Sequence, residues 1–203
     1  MQLVIHDNEK EWGRFMSTAR RIVIGITGAS GVAIGLRLVE VLTAEKHLII
    51  SDEAKRLIEI ETGLSEDEAV ANADVVYDNS DMGSGLASGS YRYDAMVIAP
   101  CSMSTLSKIN AGISDNLITR AAAVCIKEHR PLVLVPRETP LSTIHLRNMA
   151  ELSQLGVFIL PACPAFYPHP EKMEDIIDFM VGRILDVLGI ENDLYERWGS
   201  KDV

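Results

Sequence analysis

The sequence has few cysteines, and none of them form a recognisable pair. Cys101, Cys125 and Cys163 lie far apart in the 203-residue chain, and no C-x-x-C spacing occurs. An odd number of widely separated cysteines argues against a disulfide framework. We therefore expect buried free thiols.

Long apolar runs are also absent, and charged residues make up 24% of the chain. No stretch approaches the length that a bilayer-spanning helix needs. Residues 1–20 lack the basic start, apolar centre and small-residue cleavage site of a secretory signal. These absences predict a soluble protein of the cytoplasm with no membrane segment.

Positive charge is scarce. The chain has 19 Lys and Arg against 29 Asp and Glu, which gives a net charge of −10 and a pI near 4.9. Nucleic-acid binding draws on a broad positive surface, so the composition disfavours such a partner. An anionic ligand would have to be held by local cations.

Motifs of metal-dependent and serine hydrolases are missing as well. His129, His145 and His169 have no second ligand at metal-binding spacing, and no G-x-S-x-G sequence occurs. The sequence predicts no metal site and gives serine hydrolysis no support.

What the chain does contain is an alternation of strand-like and helix-like segments, which predicts an α/β fold with a parallel sheet covered by helices on both faces. Predicted strands are Ile22–Ile26, His47–Ser51, Ala95–Ala99, Leu132–Val135 and Val157–Leu160. Predicted helices are Val32–Thr43, Asp52–Thr62, Thr105–Asn110, Asn116–Lys127, Thr143–Leu155 and Lys172–Leu188. We expect one domain over residues 21–199, a loosely held arm over 1–20 and a tail over 200–203. Between Gly63 and Tyr93 the pattern weakens, and the Gly- and Ser-rich stretch D-M-G-S-G-L-A-S-G-S (81–90) is interpreted as a mobile loop over a site or at a subunit contact, with a plain surface connection as the alternative.

A glycine-rich turn follows the first predicted strand. Gly25, Gly28, Gly31 and Gly35 do not form a G-x-G-x-x-G dinucleotide motif or a P-loop, so a nucleoside triphosphate is disfavoured. The turn lets the backbone approach a phosphate, and the next helix offers unpaired N–H groups. A dinucleotide reading, in which Asp52 binds a ribose, ranks lower.

Polar groups also follow later strands. The Ala99–Thr105 loop carries three hydroxyls that suit an anion or a flavin edge, although helix capping alone would explain them. Arg137 and Glu138 follow the fourth predicted strand. Arg183 lies beside the apolar stripe of the last helix, where it is either paired to a carboxylate or available to an anion.

Several segments together resemble the flavin prenyltransferase family of the UbiX type, whose members were formerly described as aromatic-acid or 3-octaprenyl-4-hydroxybenzoate decarboxylases. In order along the chain they are G-I-T-G-A-S-G (25–31), A-S-G-S (87–90), P-C-S-M-S-T (100–105), N-L-I-T-R-A-A (116–122), K-E-H-R-P-L-V-L-V-P-R-E-T-P (127–140), P-A-F-Y (164–167) and R-W-G (197–199). The match runs from Arg21 to Gly199.

The resemblance implies a three-layer Rossmann-like (flavodoxin-like) flavoprotein. It implies a transferase that joins a dimethylallyl group from dimethylallyl monophosphate to N5 and C6 of reduced FMN. Because a monophosphate needs less charge neutralisation than a diphosphate, we expect side-chain cations to suffice without a metal. The product, prenylated FMN, is the cofactor of UbiD-type decarboxylases. It also implies a homo-oligomer, up to a dodecamer, with flavin sites at subunit contacts.

Site residues follow from the same resemblance. The FMN-binding residues would be Gly28, Ala29, Ser30, Ser51, Ser102, Met103, Ser104, Thr105 and Arg137. The prenyl phosphate would be bound by Ser88, Gly89, Ser90, Arg120, Lys127, Tyr167 and Arg183. Lys127, Tyr167 and Arg183 would converge on the leaving phosphate and stabilise its charge, and Glu138 would handle the protons.

Two alternatives remain. A peptidyl-cysteine-type FMN-dependent decarboxylase shares the fold, but the catalytic His and Asn that it needs are unconvincing here. An FMN electron carrier would use the same turns without any need for Lys127, Tyr167 and Arg183.

Overall fold

The structure is a computed structural model that describes residues 20–199. The predicted arm, except for Arg20, and the predicted tail lie outside the described residues. Arg20 donates a hydrogen bond from NH1 to the carbonyl of Leu188, 2.6 Å away. The start of the described chain is thereby joined to the end of its last helix.

Residues 20–199 form one six-stranded sheet and seven α-helices. The strands are β1 Arg21–Ile26, β2 Glu45–Ile50, β3 Val75–Asp78, β4 Ala95–Cys101, β5 Leu132–Pro136 and β6 Phe158–Ile159. The helices are α1 Val32–Val41, α2 Asp52–Thr62, α3 Glu66–Val70, α4 Met103–Asn110, α5 Leu117–Lys127, α6 Thr143–Gln154 and α7 Met173–Val187, with a 3₁₀ turn at Gly85–Ala87.

All five strand pairings are parallel, in the order β3-β2-β1-β4-β5-β6. Alternate residues of β1 enter two separate cores, Ile22 and Ile24 on one face and Val23 on the other. Helices α1, α2, α3 and α7 cover the first face, and α4, α5 and α6 cover the second. The predicted three-layer α/β fold is confirmed. The chain order reverses between β1 and β4, where open parallel sheets bind ligands at the carboxyl ends of their strands.

Between Gly63 and Tyr93, where no helix or strand was predicted, the structure contains regular elements. This stretch contains α3, β3 and the 3₁₀ turn. Strand β3 lies at the sheet edge and has half-buried and exposed residues in alternation, so it lacks the continuous apolar run of the central strands. Helix α3 has only five residues, too few to show a helical period.

Other differences are smaller. Ser51, predicted to end a strand, is the N-cap of α2, and β6 has two residues rather than the four of Val157–Leu160. Cys101 and Cys125 are buried as expected, but Cys163 is exposed. Within residues 20–199, no helix is long and apolar enough to cross a membrane.

Candidate active site

Thr27 joins the turn after β1 to the loop after β4. Its hydroxyl donates to the carbonyl of Pro100 at 2.9 Å and accepts from the Ser102 N–H at 2.8 Å, while its own N–H donates to Pro100 at 3.2 Å. The residue is only 2% exposed. The two loops therefore form one unit at the β1–β4 junction. The sequence prediction missed Thr27, although a polar residue between an apolar strand and a glycine is a usable signal.

The glycine turn is held close to helix α2. A Cβ atom on Gly28 would lie 2.6 Å from the Cβ of Glu53, so a side chain does not fit without a backbone shift. Gly31, the N-cap of α1, has φ +100°, a left-handed conformation that favours glycine. Between them Ala29 is buried and Ser30 is exposed. Backbone groups therefore line this turn, as predicted from its glycines.

The N-terminus of α1 is occupied by a carboxylate. Glu61 accepts hydrogen bonds from the N–H groups of Gly31 at 2.9 Å and Val32 at 3.2 Å. A negative group is favourable there because the helix dipole is positive at its N-terminus. The expectation of unpaired N–H groups at this position is wrong for these two. Glu61 lies in the last turn of α2, and only packing brings it here, so no local pattern signals it.

Two of the predicted FMN-binding residues, Ser51 and Ser102, cap helices. Ser51 Oγ accepts from the N–H of Ala54 at 3.2 Å. Ser102 Oγ accepts from the N–H of Thr105 at 3.2 Å and donates to its hydroxyl at 3.0 Å. Met103 is buried and Ser104 is exposed. The capping interpretation is thus correct for Ser102, and it places α2 and α4 with their N-termini at the carboxyl edge of the sheet.

Arg137 reaches the glycine turn from the end of β5. Its Nε donates to the carbonyl of Ser30 at 3.1 Å. Glu138 is exposed and accepts from the N–H of Thr139 at 2.9 Å. The structure therefore brings the predicted FMN-binding residues from β1, β4 and β5 to one edge of the sheet.

The Ala87–Ser90 segment, in contrast, runs along α5, from Arg120 near the start of this helix to Lys127 at its end. Arg120 Nε donates to the carbonyl of Ala87 at 2.9 Å. Lys127 forms an ion pair with Glu128, and both side chains lie where a Cβ on Gly89 would be. Ser88 and Ser90 share a hydrogen bond of 2.9 Å between their hydroxyls.

Arg130, which the sequence prediction missed, binds the same segment. It donates to the carbonyls of Gly89 at 2.7 Å and Tyr91 at 3.0 Å, and its guanidinium lies 4.4 Å from the ring centroid of Tyr93. Two arginines, Arg120 and Arg130, thus bind alternate carbonyls of this stretch.

Tyr167 and Arg183 belong to a different group. The Tyr167 ring makes edge contacts with Phe179 and Trp198, at centroid distances of 6.2 and 5.2 Å. Arg183 NH1 donates to Asp186 at 2.9 Å and to the hydroxyl of Tyr195 at 3.2 Å. The bond to Tyr195 and the charge of Asp186 raise the pKa of Arg183. Arg183 is therefore paired to a carboxylate, one of the two states left open by the sequence.

The predicted convergence of Lys127 with Tyr167 and Arg183 does not occur within one chain. Tyr167 and α7 pack on the sheet face of α1, whereas α5 packs on the opposite face. Lys127 ends α5 just before β5 begins, at the amino edge of the sheet. Sequence order alone could not reveal this separation, because it depends on which face each helix covers.

Within the described residues, no group of three His, Cys, Asp or Glu side chains is placed to hold a metal ion. The absence of a metal site from the reaction stays a prediction, as do the exclusion of nucleic acid and the location in the cytoplasm.

Known proteins share both the sequence and the fold. The family model described as Flavoprotein matches residues 14–185. The flavin prenyltransferase UbiX of Methanocaldococcus jannaschii is 50% identical over 182 residues, which cover 89% of this chain and 99% of that protein.

Solved structures agree. AnUbiX (PadA1), in complex with FMN and dimethylallyl pyrophosphate, is 44% identical with a TM-score of 0.89, over 91% of this chain and all of that chain. A dodecameric FMN-dependent UbiX-like decarboxylase from Escherichia coli O157:H7 is 47% identical with a TM-score of 0.82, over 84% of this chain and 96% of that chain.

The peptidyl-cysteine alternative has weaker support. Peptidyl-cysteine decarboxylase EpiD is 18% identical with a TM-score of 0.60, a likeness that shows the fold alone. Identity near one half along most of the chain to a flavin prenyltransferase, against 18% to EpiD, distinguishes the two groups. This chain belongs to the flavin prenyltransferase family of the UbiX type.

Proposed function

We propose that this protein transfers a dimethylallyl group from dimethylallyl monophosphate to reduced FMN. The observation that carries the proposal is the joined pair of loops at the β1–β4 junction, which Thr27 bridges and Arg137 reaches. This is the ligand-binding position of open parallel sheets, and flavin prenyltransferase relatives match the chain along most of its length. The product, prenylated FMN, would serve a UbiD-type decarboxylase.

The chemistry requires charge stabilisation at two places. When the allylic C–O bond breaks, the phosphate leaves with the electron pair and the allyl group becomes positive. The two outer carbons of the allyl group would then bond to N5 and C6 of the flavin, the protons of N5–H and C6–H would be lost, and the middle carbon of the allyl group would take up one proton. Lys127 and Arg183 would stabilise the phosphate, Tyr167 would donate a hydrogen bond to it, and Glu138 would handle a proton.

FMN would be bound by the glycine turn together with the segments that follow β2, β4 and β5. Gly28, Ala29 and Ser30 would hold FMN with Ser51, the Ser102–Thr105 loop and Arg137. Side-chain cations suffice for a monophosphate, so we propose that no divalent metal is needed.

The separation of Lys127 from Tyr167 and Arg183 supports a site that is shared between subunits. Since Lys127 and the Ser88–Ser90 segment lie away from the flavin turn of their own chain, a second copy has to supply them. We infer a symmetric homo-oligomer in which the amino edge of one protomer meets the carboxyl edge of another. A UbiX-like relative from Escherichia coli O157:H7 is described as dodecameric, which supports this arrangement.

The test is an anaerobic incubation of the protein with reduced FMN and dimethylallyl monophosphate, followed by mass spectrometry of the released flavin. We expect a mass gain of one C5 unit, unaffected by a chelator and lost in Lys127→Ala. Lys108→Ala is the matched control, because Lys108 is a lysine of α4 that is ion-paired with Asp115. Parallel reactions with the diphosphate determine which donor is used.

Tightly bound but unmodified flavin with both donors would contradict the transferase proposal. That outcome would favour the electron-carrier or cysteine-decarboxylase alternative.

A further inference from the structure

Asp186, a carboxylate that is not among the predicted site residues, accepts hydrogen bonds from four side chains. Asp186 accepts hydrogen bonds from Arg183 at 2.9 Å, Tyr195 at 2.6 Å and Asn192 at 3.0 Å. Arg197 binds both carboxylate oxygens, at 2.8 and 3.1 Å. The Asp186 side chain is 16% exposed. Bonds to a charged group at this depth are stronger than those at an open surface.

These bonds connect two parts of the chain. Arg183 and Asp186 lie on α7, whereas Tyr195 and Arg197 lie in the segment that follows it. The next residue, Trp198, makes the edge contact with Tyr167. The position of this indole against Tyr167 therefore depends on where Asp186 holds the segment.

The bonds leave part of the Arg183 guanidinium available. Both the bond to Asp186 and the bond to Tyr195 start from NH1. The edge formed by Nε and NH2 is not used by them, and it has the fork geometry that binds a phosphate through two hydrogen bonds.

We propose that Asp186 is a positioning residue for the prenyl donor. It fixes the guanidinium of Arg183 and, through Tyr195 and Arg197, the segment that places Trp198 against Tyr167. The inference rests on the proposed function, because Arg183 and Tyr167 are there assigned to the donor phosphate. Holding a long side chain in its binding conformation lowers the entropy lost when the ligand binds.

Charge and positioning predict opposite results for Asp186→Asn. Removing the negative charge leaves Arg183 and Arg197 uncompensated, so a purely electrostatic role predicts a lower KM for the phosphate donor. Positioning predicts a higher KM, because the guanidinium becomes mobile. The sign of the change in KM separates the two roles.

The experiment measures steady-state prenyl transfer against donor concentration. We expect Asp186→Asn to raise KM for dimethylallyl monophosphate about tenfold, with the FMN dissociation constant unchanged. Tyr195→Phe, which removes one bond to Asp186, should raise KM about threefold. It keeps the Asp186 carboxylate, so it still tests the inference if Asp186→Asn does not fold. Glu174→Gln, an exposed carboxylate on the same helix, is the matched control.

A double-mutant cycle tests whether Asp186 acts through Arg183. Asp186→Asn combined with Arg183→Gln should be no worse than Arg183→Gln alone, whereas a general structural defect would add to it. The inference about Asp186 is overturned, and the proposed function is not, if KM is unchanged or lower in Asp186→Asn and Tyr195→Phe. The same holds if the effects of Asp186→Asn and Arg183→Gln are fully additive. Absence of transfer by the wild-type protein overturns the proposed function and this inference with it.

Discussion

At the scale of single residues, Thr27 decides how the candidate flavin site is assembled. Its hydroxyl is both donor and acceptor, so it satisfies the Pro100 carbonyl and the Ser102 N–H at once. A residue of the same shape without a hydroxyl would leave both of these groups without that partner. A buried polar group that loses its partner is destabilising.

We expect Thr27→Val to lower the free energy of unfolding by about 1–3 kcal/mol. FMN affinity should fall with it, because the two loops keep only the backbone bond from the Thr27 N–H to Pro100 and lose the two bonds of the hydroxyl. Chemical denaturation and flavin fluorescence titration measure the two effects. Thr27→Ser, which keeps the hydroxyl, should remain close to wild type. A Val variant with unchanged FMN affinity would show that the bridge does not shape the site.

Asp186 supports a prediction about pH at the same scale. Burial alone would raise its pKa, but bonds from Arg197, Tyr195 and Asn192 hold the pKa at about 2, below the ordinary 3.8. A carboxyl group whose pKa is lowered by folding stabilises the fold above its unfolded pKa, and this stabilisation is lost as the pH falls from about 4 to about 2.

Asp186→Asn should therefore lower the free energy of unfolding by about 2 kcal/mol at pH 7. The difference from wild type should shrink as the pH falls from about 4 to about 2. Urea denaturation at a series of pH values and a fixed protein concentration measures it. A difference that stays constant down to pH 2 would contradict the assignment of the lowered pKa to Asp186.

At the scale of elements, the Ala87–Tyr91 segment depends on arginines from outside it. Arg130 binds the carbonyls of Gly89 and Tyr91, and Arg120 binds that of Ala87. Within the segment, Ala87 and Tyr91 are the residues that pack against the core, and both are only half-buried. Its conformation is therefore set by these arginine side chains.

Arg130→Gln should loosen this segment without unfolding the sheet. Hydrogen exchange followed by mass spectrometry should show faster exchange in peptides that cover residues 85–93, while peptides of β1 and β4 stay protected. Arg92→Gln, at an exposed arginine directly after the segment, is the control. Equal exchange in both variants would contradict the role of Arg130.

The elements also differ in how well local sequence predicted them. Helix α7 was predicted as Lys172–Leu188 and observed as Met173–Val187, because its apolar stripe runs along several turns. Strand β3 was missed because an edge strand needs no continuous apolar run. An apolar sequence pattern predicts an element only where burial restricts every residue of a strand or every turn of a helix.

At the scale of the whole molecule, the separation of Lys127 and Arg183 predicts complementation between subunits. If each site takes Lys127 from one protomer and Arg183 from another, Lys127→Ala and Arg183→Ala chains can form intact sites together. Equal co-expression should restore prenyl transfer at about a quarter of the sites, because each site draws its two protomers independently.

Each variant alone should be inactive, and the mass of the mixed assembly should match that of the wild type. A mixed assembly without activity would show that each site is built from one chain. Lys127→Ala co-expressed with itself under a second tag is the control for expression level.

The sequence by itself determined the fold class and the segments that form the candidate flavin site. Buried strands leave continuous apolar runs, and glycines and hydroxyls that follow such strands must meet at the carboxyl edge of a parallel sheet. The family resemblance in those segments was correct for the same reason, since each motif is a local run of residues.

Only the tertiary structure decided which distant groups meet. Tertiary packing places Glu61 on the N-terminus of α1, Arg197 on Asp186 and Lys127 on the far side of the sheet. Side-chain contacts of this kind carry no local period, because the partners are separated along the chain and the sheet face of each helix is set by burial in three dimensions.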